Sequence, residues 1–286
     1  MPAYLSRYYR VLTALITIVP AVCVSKEPAE KVVFKKVEGM DLRLHVYKPA
    51  GWKQGDSRPS IVFFFGGGWV GGTPSQFYPH CEHLAAKGFV AMSAEYRTRK
   101  SHGTDPFACV EDGKSAIRWV REHAAQLGVD PARIIAGGGS AGGHVAACTG
   151  TVHGFETGNT DISSRPSAMV LFNPVCDTSA KGYGANKLGQ RWREISPLHH
   201  ISHETPPTCI FHGKADTTVP HQNALDFKVA MKKNGKRCDL HTYDDAKHGF
   251  FNFGRGDGSA YRSTVAKMDT FLLSLGYLSK EKQSNK

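Results

Sequence analysis

The sequence predicts a doubly wound α/β fold: a mostly parallel sheet with a small lid insertion over one end. Three observations predict it. Apolar runs of strand length recur along the chain, helical stretches alternate with them, and two glycine-rich turns close two of the runs. Strands covered on both faces read as nearly continuous apolar stretches. Residues 61–65 and 89–94 have that character, and residues 134–137, 169–172, 209–211 and 240–243 are expected to continue the sheet.

Residues 32–37 and 42–47 alternate and are expected to open the sheet as an antiparallel pair. Residues 106–127 read as an amphipathic helix, with Val110, Ala116, Ile117, Trp119 and Val120 on or near one stripe. A helix from 143 follows the strand at 134–137, and residues 261–275 are expected to close the fold as another. Between the strands at 169–172 and 209–211, residues 176–207 are too many for a bare connection. Their segment 190–195 is expected as a short helix overhanging a pocket. Trp192 is then a candidate substrate contact, with packing of the lid as its alternative role. No large separate cap is present in this span.

The stretch Gly138-Gly139-Ser140-Ala141-Gly142 places a serine between glycines at a strand-to-helix turn. Such a turn holds its central residue in a strained conformation that only small neighbours permit, and raises the hydroxyl above the sheet edge. A serine hydroxyl needs a neighbouring imidazole to remove its proton, and the imidazole needs a carboxylate to fix its tautomer. Asp216 follows the strand at 209–211, and His248 follows the strand at 240–243. The order serine, acid, histidine is that of α/β-hydrolases. Asp244 and Asp245 are rival acids, but they sit on the histidine's own loop, where a turn role is more natural. A second cluster, Gly66-Gly67-Gly68-Trp69, closes the strand at 61–65. Backbone N–H groups of Gly67 and Gly68, with that of Ala141, are the expected oxyanion donors. Trp69 is a further candidate substrate contact.

These residues resemble the α/β-hydrolase esterases of the hormone-sensitive-lipase-like and bifunctional-xylanase-feruloyl-esterase-like groups. The resemblance runs over roughly residues 32–277 and four motifs. It implies hydrolysis of short-chain or carbohydrate-linked (acetyl or feruloyl) esters through an acyl-enzyme, with no cofactor. Phe65 departs from the pattern, because these groups usually carry histidine there. That histidine braces the loop and does not bind the oxyanion, so the departure concerns loop geometry.

Both glycine clusters also satisfy the dinucleotide fingerprint, at Gly66-x-Gly68-x-x-Gly71 and Gly137-x-Gly139-x-x-Gly142. That fingerprint needs a turn running straight from strand into helix. After Gly71 the chain reads Gly-Thr-Pro-Ser-Gln-Phe-Tyr-Pro, a loop, and a nucleotide site would leave Asp216 and His248 unexplained. Two other readings remain. One is a serine peptidase related to prolyl oligopeptidase, which the absence of a propeller-sized region disfavours. The other is a non-catalytic binding protein on a hydrolase scaffold, which the intact serine, acid and histidine disfavour.

Residues 1–25 run from Arg7 and Arg10 into an apolar stretch at 11–19 and then small residues, the order of a signal peptide. Export and cleavage after Cys23 or Ser25 are expected, leaving one catalytic domain over residues 26–286. A lipid anchor on Cys23 is the alternative. The apolar stretch is shorter than the ~20 residues of a spanning helix. The formal charge of +11 falls by two without Arg7 and Arg10, and the remaining basic residues are scattered. No nucleic-acid module is recognisable. The basic surface is either a solvated one or an attraction to acidic polysaccharides. Six cysteines follow residue 25, with no metal-ligand spacing and at most one or two disulfides expected.

Overall fold

The computed structural model describes residues 27–279, so the expected leader and the alternative lipid anchor at Cys23 lie outside the described residues. Eight strands form one sheet in the order β1-β2-β4-β3-β5-β6-β7-β8. The strands are β1 (Glu30–Val37), β2 (Met40–Tyr47), β3 (Arg58–Phe64), β4 (Val90–Ala94), β5 (Val129–Gly139), β6 (Ala168–Phe172), β7 (Thr208–Gly213) and β8 (Cys238–Tyr243). β1 pairs antiparallel with β2, and β2 with β4; every other pairing is parallel.

Side chains alternate across the sheet with the two-residue period of a strand. In β3, Val62 and Phe64 join the core on one face, while Ile61 and Phe63 join the core on the other. Residues of β6 divide the same way, Met169 and Leu171 against Val170 and Phe172. Helices α3 (Pro106–Glu122), α5 (Ala141–Thr151) and α7 (Gln222–Lys233) supply the first core. Helices α1 (Tyr78–Ala86) and α8 (Ser259–Ser274) supply the second. Short helices α2 (Arg99–His102), α4 (Ala124–Leu127) and α6 (Ala185–Leu188) complete the set.

Three differences from the sequence reading have local causes. The helix expected over 106–127 divides at His123, whose imidazole donates to the Trp119 carbonyl and stacks on that indole. Helix α1 starts inside the stretch expected as a loop after Gly71; Pro79 sits in its first turn, where it removes an N–H that had no helical partner. Strand β5 begins at Val129, earlier than the expected 134, with Arg58 paired to it before an irregularity in register. The lid is a run of short helices, α6 followed by 3-10 turns at Gly189–Ile195 and Pro197–His200. All six described cysteines are free thiols, and five are buried.

His80 lies fully buried on α1 against Phe63, Phe77, Phe172, Phe251 and Tyr261. Neither ring nitrogen has a hydrogen-bond partner among the described residues. Burial pushes its pKa down to about 3, with His83 adding to the shift. The unfolded chain therefore takes up this proton near pH 6.5, and the folded one only near 3. Stability is complete above the first value and is lost as pH falls toward the second. His80→Phe should make the loss of melting temperature between pH 6.5 and 4.5 shallower. Equal slopes in variant and wild type would refute the assignment.

Candidate active site

Ser140 stands between the last residue of β5 and the first of α5, with φ 55° and ψ −120°. That backbone conformation costs about 1–3 kcal/mol and persists only where its surroundings enforce it. Enforcement comes from three backbone hydrogen bonds. The Ser140 N–H donates to the Phe172 carbonyl, and its own carbonyl accepts from His144 and Val175. The residues two positions to either side, Gly138 and Gly142, must be glycine because the main chains touch. A Cβ on Gly142 would lie 2.0 Å from the Phe64 carbonyl oxygen.

Asp216 and His248 meet the serine from two other strand ends. The His248 Nε2 lies 2.8 Å from Ser140 Oγ, and its Nδ1 lies 2.7 Å from Asp216 Oδ2. A carboxylate only accepts, so Nδ1 carries the proton and Nε2 is left to accept from the hydroxyl. Asp216 Oδ1 accepts from the Thr218 and Val219 N–H groups, both at 2.9 Å. Burial pushes the Asp216 carboxyl up, but hydrogen bonds from His212, His248 and the Val219 amide push it further down. It stays well below the usual carboxylate range. Asp244 and Asp245 are exposed, and Asp244 pairs with Lys214.

The glycine loop passes directly over the serine. A Cβ on Gly66 would sit 3.3 Å from the Ser140 Cβ. Gly67 has φ +133°, and a Cβ there would collide with the Gly71 carbonyl at 2.0 Å. Ala141 begins α5, so its N–H has no partner within the helix. Phe65 keeps the loop in place without the usual histidine. Its ring stacks on Tyr96 at 4.2 Å, and the Tyr96 hydroxyl donates to the Phe65 carbonyl at 2.6 Å.

Several positioning residues went unread. Gln76 accepts from the Gly66 N–H at 2.6 Å and donates to Asn252, which donates in turn to the Gly249 carbonyl. Asn173 accepts from the Gly249 N–H at 2.9 Å. Its place just after β6 was the available signal. Tyr183 and Arg255 also line the cavity at Ser140, which encloses about 300 Å³.

Neither tryptophan lines that cavity, though Trp69 lines a larger one beside it. Trp69 is buried, and its Nε1 donates to His144 Nδ1, whose Nε2 donates to the Ile195 carbonyl of the lid. Burial pushes His144 down to about 4, which keeps it neutral for this double role. Trp192 packs against the cluster of Phe107, Val110, Cys148 and Ile195 and meets His199 edge-on. It holds the lid down. Among the described residues no group of three or more His, Cys, Asp or Glu could hold a metal ion. None of the described helices is long and apolar enough to cross a membrane.

A family model named BD-FAE matches residues 44–182, and one for the dienelactone hydrolase family matches residues 167–274. The probable carboxylic ester hydrolase LipM of Mycobacterium tuberculosis is 29% identical over 212 residues, 65% of this chain and 49% of LipM. Esterase LipQ of the same organism is 26% identical over 217 residues, 69% of this chain and 51% of LipQ. The chain thus spans about half the length of these curated relatives. Esterase 2 of the planctomycete Thermogutta terrifontis, solved with propionate bound, matches more fully. It is 50% identical with a TM-score of 0.85, covering 88% of this chain and 96% of that one. The same esterase phosphorylated by paraoxon gives 50% identity and a TM-score of 0.84, over the same shares. Identity of this order along nearly the whole of a solved esterase means that the chain belongs to the α/β-hydrolase esterases.

Proposed function

We propose that the protein is a serine carboxylesterase for short-chain esters, with acetylated or feruloylated sugars as natural substrates. One observation carries the reading: a strained serine hydroxyl 2.8 Å from an imidazole that a buried carboxylate orients, under a glycine loop. Ser140 Oγ attacks the ester carbonyl as His248 Nε2 takes its proton. Charge on the former carbonyl oxygen meets the N–H groups of Gly67, Gly68 and Ala141, each worth about 10²–10³ in turnover. The imidazolium, stabilised by Asp216, returns the proton to the departing alkoxide. Water, deprotonated by the same nitrogen, then releases the acid from the acyl-enzyme, and the serine regains its proton. No step calls on a cofactor.

Support for short acyl groups comes from the small cavity and from Thermogutta esterase 2, which was solved with propionate and with butyrate bound. Support for sugar esters comes from the resemblance to feruloyl-esterase-like enzymes and from the leader-like residues 1–25. The leader supports export to the periplasm or the cell exterior, which the mature N-terminus and cell fractionation would test.

Ser140→Ala and His248→Ala should each lower kcat by about 10⁶, because the two act as a unit. Asp216→Asn should cost about 10⁴ with little change in KM. A fluorophosphonate probe should label wild type and not Ser140→Ala, and labelling at another serine would overturn the assignment. Should Asp245→Asn prove the worse of the two acid variants, Asp216 is not the acid. Because Asp216 is held ionised, the acid side of the kcat/KM profile should follow a single protonation. A second protonation on that limb would contradict it.

Each further acyl methylene gains about 0.8 kcal/mol only while it is buried. Across p-nitrophenyl esters, kcat/KM should therefore peak from acetyl to butyryl and fall by octanoyl. Trp192→Ala should leave that profile unchanged, since its side chain packs the lid. A preference for dodecanoyl esters would replace this reading with that of a lipase.

A further inference from the structure

Gly68 lines two cavities, the one at Ser140 and a second of about 620 Å³. The partition between them is built from Tyr183, which faces the serine, and Lys187, which faces the larger space. Their polar ends lie 3.2 Å apart, and Lys187 Nζ also donates to the Gly68 carbonyl at 3.0 Å. An ester held at Ser140 thus has a second, roomier compartment within reach across one glycine.

The chemistry of the larger cavity is cationic. Arg99 and Lys187 line it, and among the described residues neither has a carboxylate partner. The Arg99 main chain is tied to the oxyanion loop, its backbone N–H donating to the Trp69 carbonyl at 3.0 Å, and its side chain is exposed. Asp105 is the one acid of the lining, and its Oδ1 caps α3 by accepting from the Phe107 and Ala108 N–H groups at 3.0 and 3.1 Å. Thr104 Oγ1 is buried at this cavity with no hydrogen-bond partner among the described residues. A buried hydroxyl left unpaired costs free energy that a bound polar group would recover. The lining thus presents two cations against one acid, with one unpaired hydroxyl.

We propose that this cavity is the subsite for the alcohol half of the ester and that it takes a sugar carrying a carboxylate. The proposal rests on the esterase reading of Ser140. The smaller compartment suits a short acyl group, and the larger one has the volume and hydrogen-bonding groups for a sugar ring. Its charge selects an anionic ring over a neutral one.

The test compares the acetyl ester of a methyl glucuronide with that of the corresponding methyl glucoside, acetylated at the same hydroxyl. The wild type should show kcat/KM about three- to tenfold higher for the glucuronide, carried by KM, the scale of one charge-assisted contact near a surface. Raising the salt to 0.5 M should shrink that ratio, because screening weakens exposed attractions first. Arg99→Ala should bring the ratio toward one and Arg99→Glu below one, and Thr104→Val should lower it. Ratios taken within one preparation cancel any general loss of activity, and the wild-type salt series needs no variant to fold. A wild-type ratio of one, or a ratio indifferent to salt and to Arg99, overturns the subsite alone. Failure of the wild type to hydrolyse p-nitrophenyl acetate overturns the esterase reading itself.

Discussion

Backbone meets backbone at the centre of this molecule, and the rest of the structure depends on that approach. The start of α5 lies so close to the end of β3 that Gly142 has no room for a side chain against the carbonyl oxygens of Phe64 and Phe65. That proximity sets two things together. It forces Ser140 into its strained turn, and it brings the oxyanion loop, which continues from Phe65, over the hydroxyl. Nucleophile and oxyanion donors are thereby placed by one contact, so their spacing does not depend on flexible side chains. A larger residue at 142 would move both at once.

Around this contact, the remaining loops are tied by side chains that reach across to main chain. Gln76 and Asn252 couple the oxyanion loop to the histidine loop, and Asn173 fixes the latter from β6. Trp69 and His144 connect the oxyanion loop through the elbow helix to the lid. Each link is short, at least partly buried and directional, the kind of support that holds reacting groups within a fraction of an ångström. Phe65 fits the same plan, replacing a polar brace by aromatic stacking on Tyr96 and a hydroxyl bond from it.

Much of this was legible in the chain. Strands β3, β6 and β7 are apolar on both faces and bounded by turn residues, so their period and position read directly. Ser140, Asp216 and His248 carry distinctive neighbours and a diagnostic order, and the structure brings them within hydrogen-bond distance. What stayed hidden depends on long-range packing. Gln76 and Asn252 are 176 positions apart, and nothing local marks either as a brace. The packing roles of Trp69 and Trp192 are set the same way. Only the packing reveals that one spans loop and helix while the other secures the lid. Helix α1 starts inside a stretch that reads as a loop, and its proline sits in the first turn.

The six described cysteines are all free thiols. Burial pushes the thiols at 81, 109, 148, 176, 209 and 238 up, so they stay protonated near neutrality. A protonated, enclosed thiol is a poor nucleophile and a slow partner for oxidants. Among the described residues, nucleophilic reactivity is thus left to the half-buried Ser140 hydroxyl, even though cysteine is intrinsically the stronger nucleophile. The fold is also indifferent to redox poise, since none of its described cross-strand order depends on a bond that a reductant could open.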